Sequence, residues 1–146
     1  MPEYISHSES ETEEIAFNLA EEKKIARGDI IALFGGLGAG KTAFTRGLVR
    51  FFSPQSRVTS PTFALVNEYK IDNDSNNGKI FHFDMYRINS EEDLLSVGFY
   101  DYLDGGNIIV IEWFDKIAAF FDEETIDIKI KKISNDEREI NVYTRN

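Results

Sequence analysis

The sequence contains no cysteine, no apolar stretch near the roughly 20 residues that span a bilayer, and few basic residues. The missing cysteine excludes disulfides, thiolate metal sites and thiol nucleophiles. With 16 Lys and Arg against 26 Asp and Glu, the formal net charge is -10, which opposes tight binding of nucleic acid by the chain alone. The acidic N-terminus also lacks the features of a signal segment, so we expect a cytoplasmic protein that does not enter a membrane.

The rest of the composition suits a folded domain. Of the 146 residues, 42 % are apolar and 13 % are aromatic, which is enough for one packed core. No internal repeat or linker divides the chain, so we expect a single domain over residues 1–146. Ser10 and Glu13 have the spacing of a capping box, and the apolar residues after them recur at helical spacing. This pattern predicts an amphipathic helix from Glu11 to about Ala26.

Short apolar runs bounded by turn-forming residues predict the strands. Ile30–Phe34 and Ile108–Ile111 are continuous apolar runs, as expected of strands that are covered on both faces. The polar cluster from Asp72 to Gly78 predicts an antiparallel hairpin between the strands on either side of it. The whole order predicts an α/β layered domain with a mixed central β-sheet flanked by helices. The other predicted elements are a helix at Lys41–Phe52, strands at Phe63–Lys70 and Lys79–Asp84, a helix beginning near Ser90, a helix after Glu112, and a strand pair at Asp127–Ile133 and Arg138–Thr144.

The segment from Gly35 to Thr42 matches G-x-x-x-x-G-K-[ST], the phosphate-binding P-loop. Its glycines let successive N–H groups turn toward phosphate oxygens, and the following helix presents the positive end of its dipole to the same anion. Lys41 would reach the β- and γ-phosphates, and the Thr42 hydroxyl would bind Mg²⁺. Ala43 stands where a hydroxyl often touches the α-phosphate, so we expect that contact to be missing. We predict binding of a purine nucleoside triphosphate with Mg²⁺, and hydrolysis of ATP to ADP, at Gly35, Gly36, Leu37, Gly38, Ala39, Gly40, Lys41, Thr42 and Ala43.

Two acidic residues end predicted strands, and a P-loop ATPase needs both an acid near Mg²⁺ and a group that positions water. Glu112 follows the apolar run Ile108–Ile111 in the manner of a Walker-B acid, and Asp84 ends another apolar strand. For each, the alternative is an incidental carboxylate at a strand end. His82 is interpreted as a residue of the strand core rather than a base, and the acidic run Glu9–Glu14 as a solvated helix start.

Three hydroxyl residues surround Pro61, just after the predicted P-loop helix. Residues 59–63 therefore occupy the place where a switch loop would face the γ-phosphate, although the same composition is also typical of an ordinary turn. The modest basic cluster of the chain, Arg46, Arg50 and Arg57, lies near the nucleotide motif, and we expect Arg46 and Arg50 to face solvent.

Taken together, these motifs resemble the TsaE (YjeE) family, bacterial ATPases of threonylcarbamoyladenosine tRNA modification. The resemblance extends from Ser10 to about Arg138. Ordered motifs at matching spacing are far more specific than the P-loop alone. The residues that carry the resemblance are Leu37-Gly38-Ala39-Gly40-Lys41-Thr42, Ser60-Pro61-Thr62-Phe63, His82-Phe83-Asp84-Met85-Tyr86-Arg87, Gly98-Phe99 and Ile111-Glu112-Trp113.

The resemblance implies a P-loop NTPase fold and an ATPase that assists the TsaB–TsaD pair, in which TsaD modifies the tRNA. The protein would thus meet tRNA only through that complex, and its turnover would be slow until the partners stimulate it. By resemblance, Glu112 is the acid beside Mg²⁺ and Asp84 is a catalytic or metal-shell acid. Thr62 is a catalytic group of the switch loop, Trp113 is a wall of the ATP site, and Glu11 and Thr12 lie near the adenine.

Three positions depart from the family pattern, and two other functions compete with the one that it implies. The family often has Asp at Gly36, a hydroxyl at Ala43 and Pro at Phe114, and the first two departures affect phosphate contacts. A small-molecule kinase would need a lid with extra cations, for which the chain after Glu112 offers only Lys116 before the C-terminal strands. A nucleotide-dependent binding module without turnover is the other alternative. Phosphate release with and without acceptors or partners distinguishes the three functions.

Overall fold

The computed structural model describes residues 3–36, 38–59, 65–72, 77–103 and 105–144. Within these residues, seven strands form one mixed sheet with helices on its faces. The strands are β1 (Glu3–Ser6), β2 (Ile30–Phe34), β3 (Val66–Lys70), β4 (Lys79–Asp84), β5 (Ile108–Glu112), β6 (Ile126–Lys132) and β7 (Arg138–Tyr143). The helices are α1 (Glu9–Glu21), α2 (Lys41–Phe52) and α3 (Glu91–Ser96), with 3₁₀ turns at Phe99–Leu103, Phe114–Lys116 and Ala118–Phe120.

The order of strands across the sheet is β1-β7-β6-β2-β5-β4-β3. The central strands β6, β2, β5 and β4 run parallel to one another, whereas β3, β7 and β1 each run antiparallel to their neighbours. All five residues of β5 are buried, as predicted for a strand covered on both faces. The predicted α/β fold with a mixed central sheet is therefore confirmed, as is the β3–β4 hairpin.

The sheet separates two apolar cores. On one face, α1 and α2 bury Leu19, Phe44 and Leu48 against the central strands. On the other face, α3 and the 3₁₀ turns bury Leu94 and Phe99 beside other aromatic residues. This arrangement leaves the carboxyl ends of the parallel strands as an open edge between the two layers. Among the described residues, no helix combines the length and the apolar character required to cross a membrane.

Helices α1 and α2 pack unusually closely at Gly47. A Cβ atom added to Gly47 would lie 2.1 Å from the backbone oxygen of Glu13 and 2.9 Å from the Cβ of Ala16. Ion pairs flank this contact, because Arg46 donates to Glu13 at 2.9 Å and Arg50 to Glu14 at 3.0 Å. The acidic helix start and these arginines, which were both expected to face solvent, therefore neutralise each other across the helix pair.

We expect Gly47→Ala to lower the free energy of unfolding by about 1–3 kcal/mol, the range typical of overpacking. Alanine favours a helix by about 1 kcal/mol over glycine, but a backbone clash is relieved only when α1 moves away. Urea denaturation measures the difference. The matched control is Gly36→Ala, where the added Cβ meets open space among the described residues and should not destabilise the fold. Equal stability of Gly47→Ala and the parent would show that moving the helices apart costs no more than the helix propensity that alanine adds.

The N-terminal helix differs from its prediction at both ends. Its N-cap is Ser8 rather than Ser10, because the Ser8 hydroxyl accepts from the Glu11 N–H at 3.1 Å. The Ser8–Glu11 pair has the same capping-box spacing, and the sequence does not rank the two pairs. The helix ends at Glu21 rather than Ala26, since Lys23 has a left-handed φ of 62° and reverses the chain.

Other boundaries also shifted. Strand β3 begins at Val66 instead of Phe63, a residue that lies outside the described part of the chain. The helix expected after Glu112 is replaced by two short 3₁₀ turns. Strand β1 was not predicted, because four residues at a sheet edge carry little periodic signal. Lys41–Phe52 and Lys79–Asp84 have the predicted bounds.

Candidate functional site

The candidate site lies at the carboxyl edge of the parallel strands. Strand β2 leads into the glycine-rich loop, and the neighbouring strands β5 and β4 end at Glu112 and Asp84. These two acids are paired in register, and Glu112 is also opposite Leu33 of β2. Because parallel strands end on the same side of a sheet, three separate segments of sequence meet here, as is usual for α/β binding sites.

A cleft of about 700 Å³ opens at this edge. The glycine-rich loop and the start of α2 form its floor. One wall comes from the ends of β4 and β5, and the other comes from the start of α1 and the turn between β6 and β7. The residues that line the cleft are Ser8, Glu9, Thr12, Gly38, Ala39, Gly40, Lys41, Thr42, Ala43, Asp84, Tyr86, Glu112, Trp113, Asn135, Asp136 and Arg138.

The backbone at the floor of the cleft suits an anion. Gly40 has a φ of 110° and Gly38 a φ of 74°, conformations that a side chain would strain. Helix α2 begins directly after Gly40 and, within the described residues, has no side chain capping its first N–H groups. Unpaired N–H groups and the positive end of the helix dipole therefore face the cleft together, and this combination attracts phosphate-like groups.

Lys41 supplies the charge at this point. It is only 6 % exposed, its Nζ donates to the Gly35 carbonyl at 2.7 Å, and it lies 3.9 Å from the centre of the Trp113 ring. Burial lowers the pKa of the Lys41 amino group, while the carboxylates of Glu112, Asp115 and Asp84 act in the opposite direction. An anion in the cleft would offer this buried ammonium a stronger partner than a neutral carbonyl.

Glu112 is held by a neighbour that sequence reasoning did not connect with it. The His82 Nε2 lies 2.5 Å from Glu112 Oε2, and these two residues are 0 % and 5 % exposed. Among the described residues, His82 Nδ1 has no hydrogen-bond partner. The prediction that His82 is a buried strand residue is confirmed, but its imidazole also fixes the orientation of the candidate metal-side acid.

Trp113 and Tyr86 form the outer wall beside these acids. Trp113 has a left-handed backbone (φ 59°), a strained conformation for a large residue, and it turns the chain sharply after β5. The Tyr86 ring lies 5.0 Å from the Trp113 ring and its side chain is 59 % exposed. The Tyr86 N–H donates to one Asp84 carboxylate oxygen at 3.0 Å, which fixes that acid at the mouth of the cleft.

The structure brings most of the predicted site residues together at the cleft. Thr12 lines it, whereas Glu11 is not among the described lining residues, and its carboxylate accepts from the His7 N–H at 2.8 Å. The placement of Glu11 and Thr12 beside the adenine stays a prediction, and the structure adds Ser8 and Glu9 of the same helix start to the lining. Gly35 and Gly36 precede the lining residues, and Gly35 contacts Lys41 through its carbonyl. Leu37 and Thr62 lie outside the described residues.

Sequence reasoning missed Arg138 and the turn residues Asn135 and Asp136. Their position follows from the parallel pairing of β6 with β2, which puts the end of β6 at the same edge as the glycine-rich loop. A turn signal between the last two predicted strands was visible, but its distance from the loop was not.

The residues present would fit a hard divalent cation that shares its coordination with a phosphate group. Thr42 and Glu112 line the same cleft and offer a hydroxyl and a carboxylate oxygen. Within the described chain, no group of three or more His, Cys, Asp or Glu residues could hold a metal by itself. Mg²⁺ commonly takes one or two protein ligands and completes its shell with water and substrate phosphates, so this donor set suits it.

The fold and the edge site define a P-loop-type α/β protein, with a glycine-rich loop between a buried strand and a helix. The structure is similar to the crystal structure of YdiB from Bacillus subtilis, with a TM-score of 0.74 and 29 % identity over 97 % of this chain and 83 % of that chain. Residues 6–140 match the family model for the threonylcarbamoyl adenosine biosynthesis protein TsaE. The chain belongs to the TsaE family, which serves tRNA threonylcarbamoyladenosine biosynthesis.

Individual relatives agree with this assignment. The chain is 41 % identical to the tRNA threonylcarbamoyladenosine biosynthesis protein TsaE of Haemophilus influenzae over 118 residues, which cover 80 % of this chain and 69 % of the relative. It is 36 % identical to the TsaE protein of Rickettsia conorii over 139 residues, or 94 % of this chain and 75 % of the relative. The family-model match over residues 6–140 includes the glycine-rich loop and both strand-end acids.

Proposed function

We propose that this chain is an ATPase that binds Mg·ATP in the cleft and assists the TsaB–TsaD pair in forming threonylcarbamoyladenosine in tRNA, in the cytoplasm. The observation that carries the proposal is the meeting of three separate segments at one edge. The loop before α2, Asp84 and Glu112 all line a single cleft. The family role in tRNA threonylcarbamoyladenosine biosynthesis supports the choice of pathway.

The loop and Lys41 bind the triphosphate in this proposal. The N–H groups at the start of α2 donate to phosphate oxygens, and Lys41 leaves the Gly35 carbonyl to contact the β- and γ-phosphates. Trp113 stays over the lysine and keeps water away from it. Thr42 and Glu112 would hold Mg²⁺, which when bound neutralises charge on the β- and γ-oxygens. His82 keeps the Glu112 carboxylate turned toward the cleft.

Hydrolysis then requires a water molecule in line with the γ-phosphorus. Water forms a new bond to that phosphorus, the bond to the β–γ bridging oxygen breaks, the electron pair leaves with ADP, and the water gives up one proton to the phosphate oxygens or to solvent. Asp84 suits the positioning of that water, because one of its oxygens is held by the Tyr86 N–H while the other remains an acceptor. Thr62 stays a predicted member of the switch loop.

The negative net charge of this chain favours binding of tRNA to the partners rather than to the chain itself. Two of the three arginines in the basic cluster are paired with acids, since Arg46 contacts Glu9 and Glu13 and Arg50 contacts Glu14. The pairing reduces the cations available for phosphate contacts, in a chain whose net charge is already -10.

We expect the isolated protein to hydrolyse ATP slowly, and we expect the rate of hydrolysis to rise when TsaB–TsaD is added. We also expect the lone chain to bind tRNA with a Kd of about 1 µM or weaker, where about 1 µM is the tight end of the range for non-specific binding. Phosphate release with and without partners tests the first two points, and filter binding at near-physiological salt tests the third. Fast turnover that ignores the partners, or sub-micromolar tRNA affinity of the lone chain, would contradict the proposal. Phosphate transfer to an added small acceptor would favour a kinase, and ATP binding without any turnover would favour a binding module.

A further inference from the structure

Arg138, at the start of β7, connects the glycine-rich loop to the turn before its own strand. Its Nε donates to the Ala39 carbonyl at 2.9 Å, and one terminal nitrogen donates to the Gly38 carbonyl at 3.1 Å. The other terminal nitrogen donates to the carbonyls of Ser134, Asn135 and Glu137 at 2.9–3.2 Å. All five hydrogen bonds that this side chain makes within the described residues thus go to backbone oxygens.

These contacts fix two successive peptide planes of the loop. A trans peptide is planar, so the N–H of the next residue points opposite to the carbonyl of the residue before it. Holding the Gly38 carbonyl fixes the N–H of Ala39, which donates to the Gly36 carbonyl at 3.2 Å. Holding the Ala39 carbonyl in turn fixes the N–H of Gly40, the residue before α2. Gly38 and Gly40 both have a left-handed φ, at which the glycine backbone has the freedom to turn away.

We propose that Arg138 is a positioning residue that holds the loop in the conformation that receives phosphate. The inference rests on the proposed ATP site. The guanidinium is suited to this role because its planar donors reach two loop carbonyls and the β6–β7 turn at the same time, which a lysine ammonium cannot match. The turn thereby acts as a rigid base for the loop, although the two segments are about 100 residues apart in sequence.

The alternative role of Arg138 is to supply positive charge to the cleft, and three variants separate the two roles. Arg138→Ala removes charge and geometry, Arg138→Lys keeps the charge alone, and Arg50→Ala removes an equal charge from the outer face of α2. If Arg138 acts through its charge, lysine at this position restores nucleotide affinity. The loss of affinity in the alanine variant is then smaller at high salt and larger for ATP than for ADP. If Arg138 positions the loop, the loss of nucleotide affinity persists in the lysine variant and does not depend on salt. The loss is then equal for ATP and ADP, since both carry the β-phosphate that the loop would surround.

Isothermal titration calorimetry with ATP and ADP at two salt concentrations provides the measurement. We expect Arg138→Ala and Arg138→Lys to bind both nucleotides about 10- to 100-fold more weakly, as for the loss of charged hydrogen bonds, and Arg50→Ala to bind like the parent. Melting temperatures without nucleotide verify that each variant is folded. Full affinity in Arg138→Lys, or unchanged affinity in Arg138→Ala, would overturn the inference.

A second readout needs no nucleotide. Amide resonances of Gly38 and Gly40 in the free protein should broaden by exchange in Arg138→Ala relative to the parent, while resonances in the middle of α2 remain sharp. If the parent itself failed to bind ATP, the proposed function would fall, and this broadening would still support the positioning role. Unchanged Gly38 and Gly40 resonances would overturn it.

Discussion

Lys41→Met is expected to weaken ATP binding by about 30- to 1,000-fold, equivalent to about 2–4 kcal/mol for a charge-assisted phosphate contact. The substitution keeps an aliphatic side chain of similar length and removes the ammonium that lies over the Trp113 ring and donates to the Gly35 carbonyl. Among the described residues that line the cleft, the other basic side chain is Arg138, which donates to backbone oxygens. We therefore expect no second cation of the cleft to replace the Lys41 ammonium. Calorimetric titration with Mg·ATP measures the loss.

The same substitution should not destabilise the free protein. Burial lowers the pKa of Lys41 in the folded chain, so the charged form costs stability at every pH below that lowered value. The cost disappears as pH rises through the folded pKa toward the unfolded one, and methionine removes it at neutral pH. We therefore expect the melting temperature of nucleotide-free Lys41→Met to equal or exceed that of the parent.

Lys79→Met is the matched control for this prediction. Lys79 pairs with Glu68 at 3.0 Å on the β3–β4 hairpin, at the opposite end of β4 from Asp84. It loses the same charge from the same type of side chain, and it should bind ATP like the parent. Normal ATP binding and turnover by Lys41→Met would show that the glycine-rich loop is not a nucleotide site.

Glu112→Gln is expected to reduce Mg²⁺-dependent turnover by about 100-fold or more, the effect of losing one catalytic electrostatic or acid–base group. The amide has almost the same shape, and its oxygen can still accept a hydrogen bond from the His82 Nε2, so the buried contact survives. Only the negative charge that would face Mg²⁺ is lost. The fold should be retained, which circular dichroism and thermal melting can establish.

A magnesium titration of phosphate release assigns the two acids. Glu112→Gln should require far more Mg²⁺ for its residual activity, whereas Asp84→Asn should turn over slowly at an unchanged Mg²⁺ requirement, because water positioning does not alter metal affinity. Glu68→Gln, on the hairpin surface, serves as the control for loss of a carboxylate. If Asp84→Asn shifted the Mg²⁺ dependence while Glu112→Gln did not, the roles proposed for these acids would be reversed.

The features that could be predicted are those encoded by residues close together in the sequence. The glycine-rich segment contains its turn-forming glycines, its lysine and its threonine within eight consecutive positions, and the helix after it has the predicted bounds, Lys41–Phe52. Strand β5 was predicted because a buried strand needs a short unbroken apolar run, and strand β4 because a turn-forming cluster separates it from the strand before it. Both acids were recognised because each ends one of these strands, although their chemical roles stay predictions.

The local sequence pattern did not predict the structure correctly where two residues could serve as the same helix cap, or where an element is short. Ser8 and Ser10 both precede a glutamate at capping-box spacing, and only the folded structure shows that Ser8 is the N-cap. The four residues of β1 form a strand because the edge of β7 is available to pair with them. The segment after β5 forms 3₁₀ turns beside the strained Trp113 instead of the expected helix.

By itself, the sequence determined the position of the loop, the alternation of strands and helices, and which acids end the parallel strands, since each of these is encoded by residues close together in the chain. The tertiary structure alone decided which distant side chains support those groups. The His82–Glu112 contact spans 30 residues, and the Arg138–Ala39 contact spans 99. Contacts at such separations follow from strand order and register, which arise from the packing of the whole sheet and leave no periodic trace in the sequence.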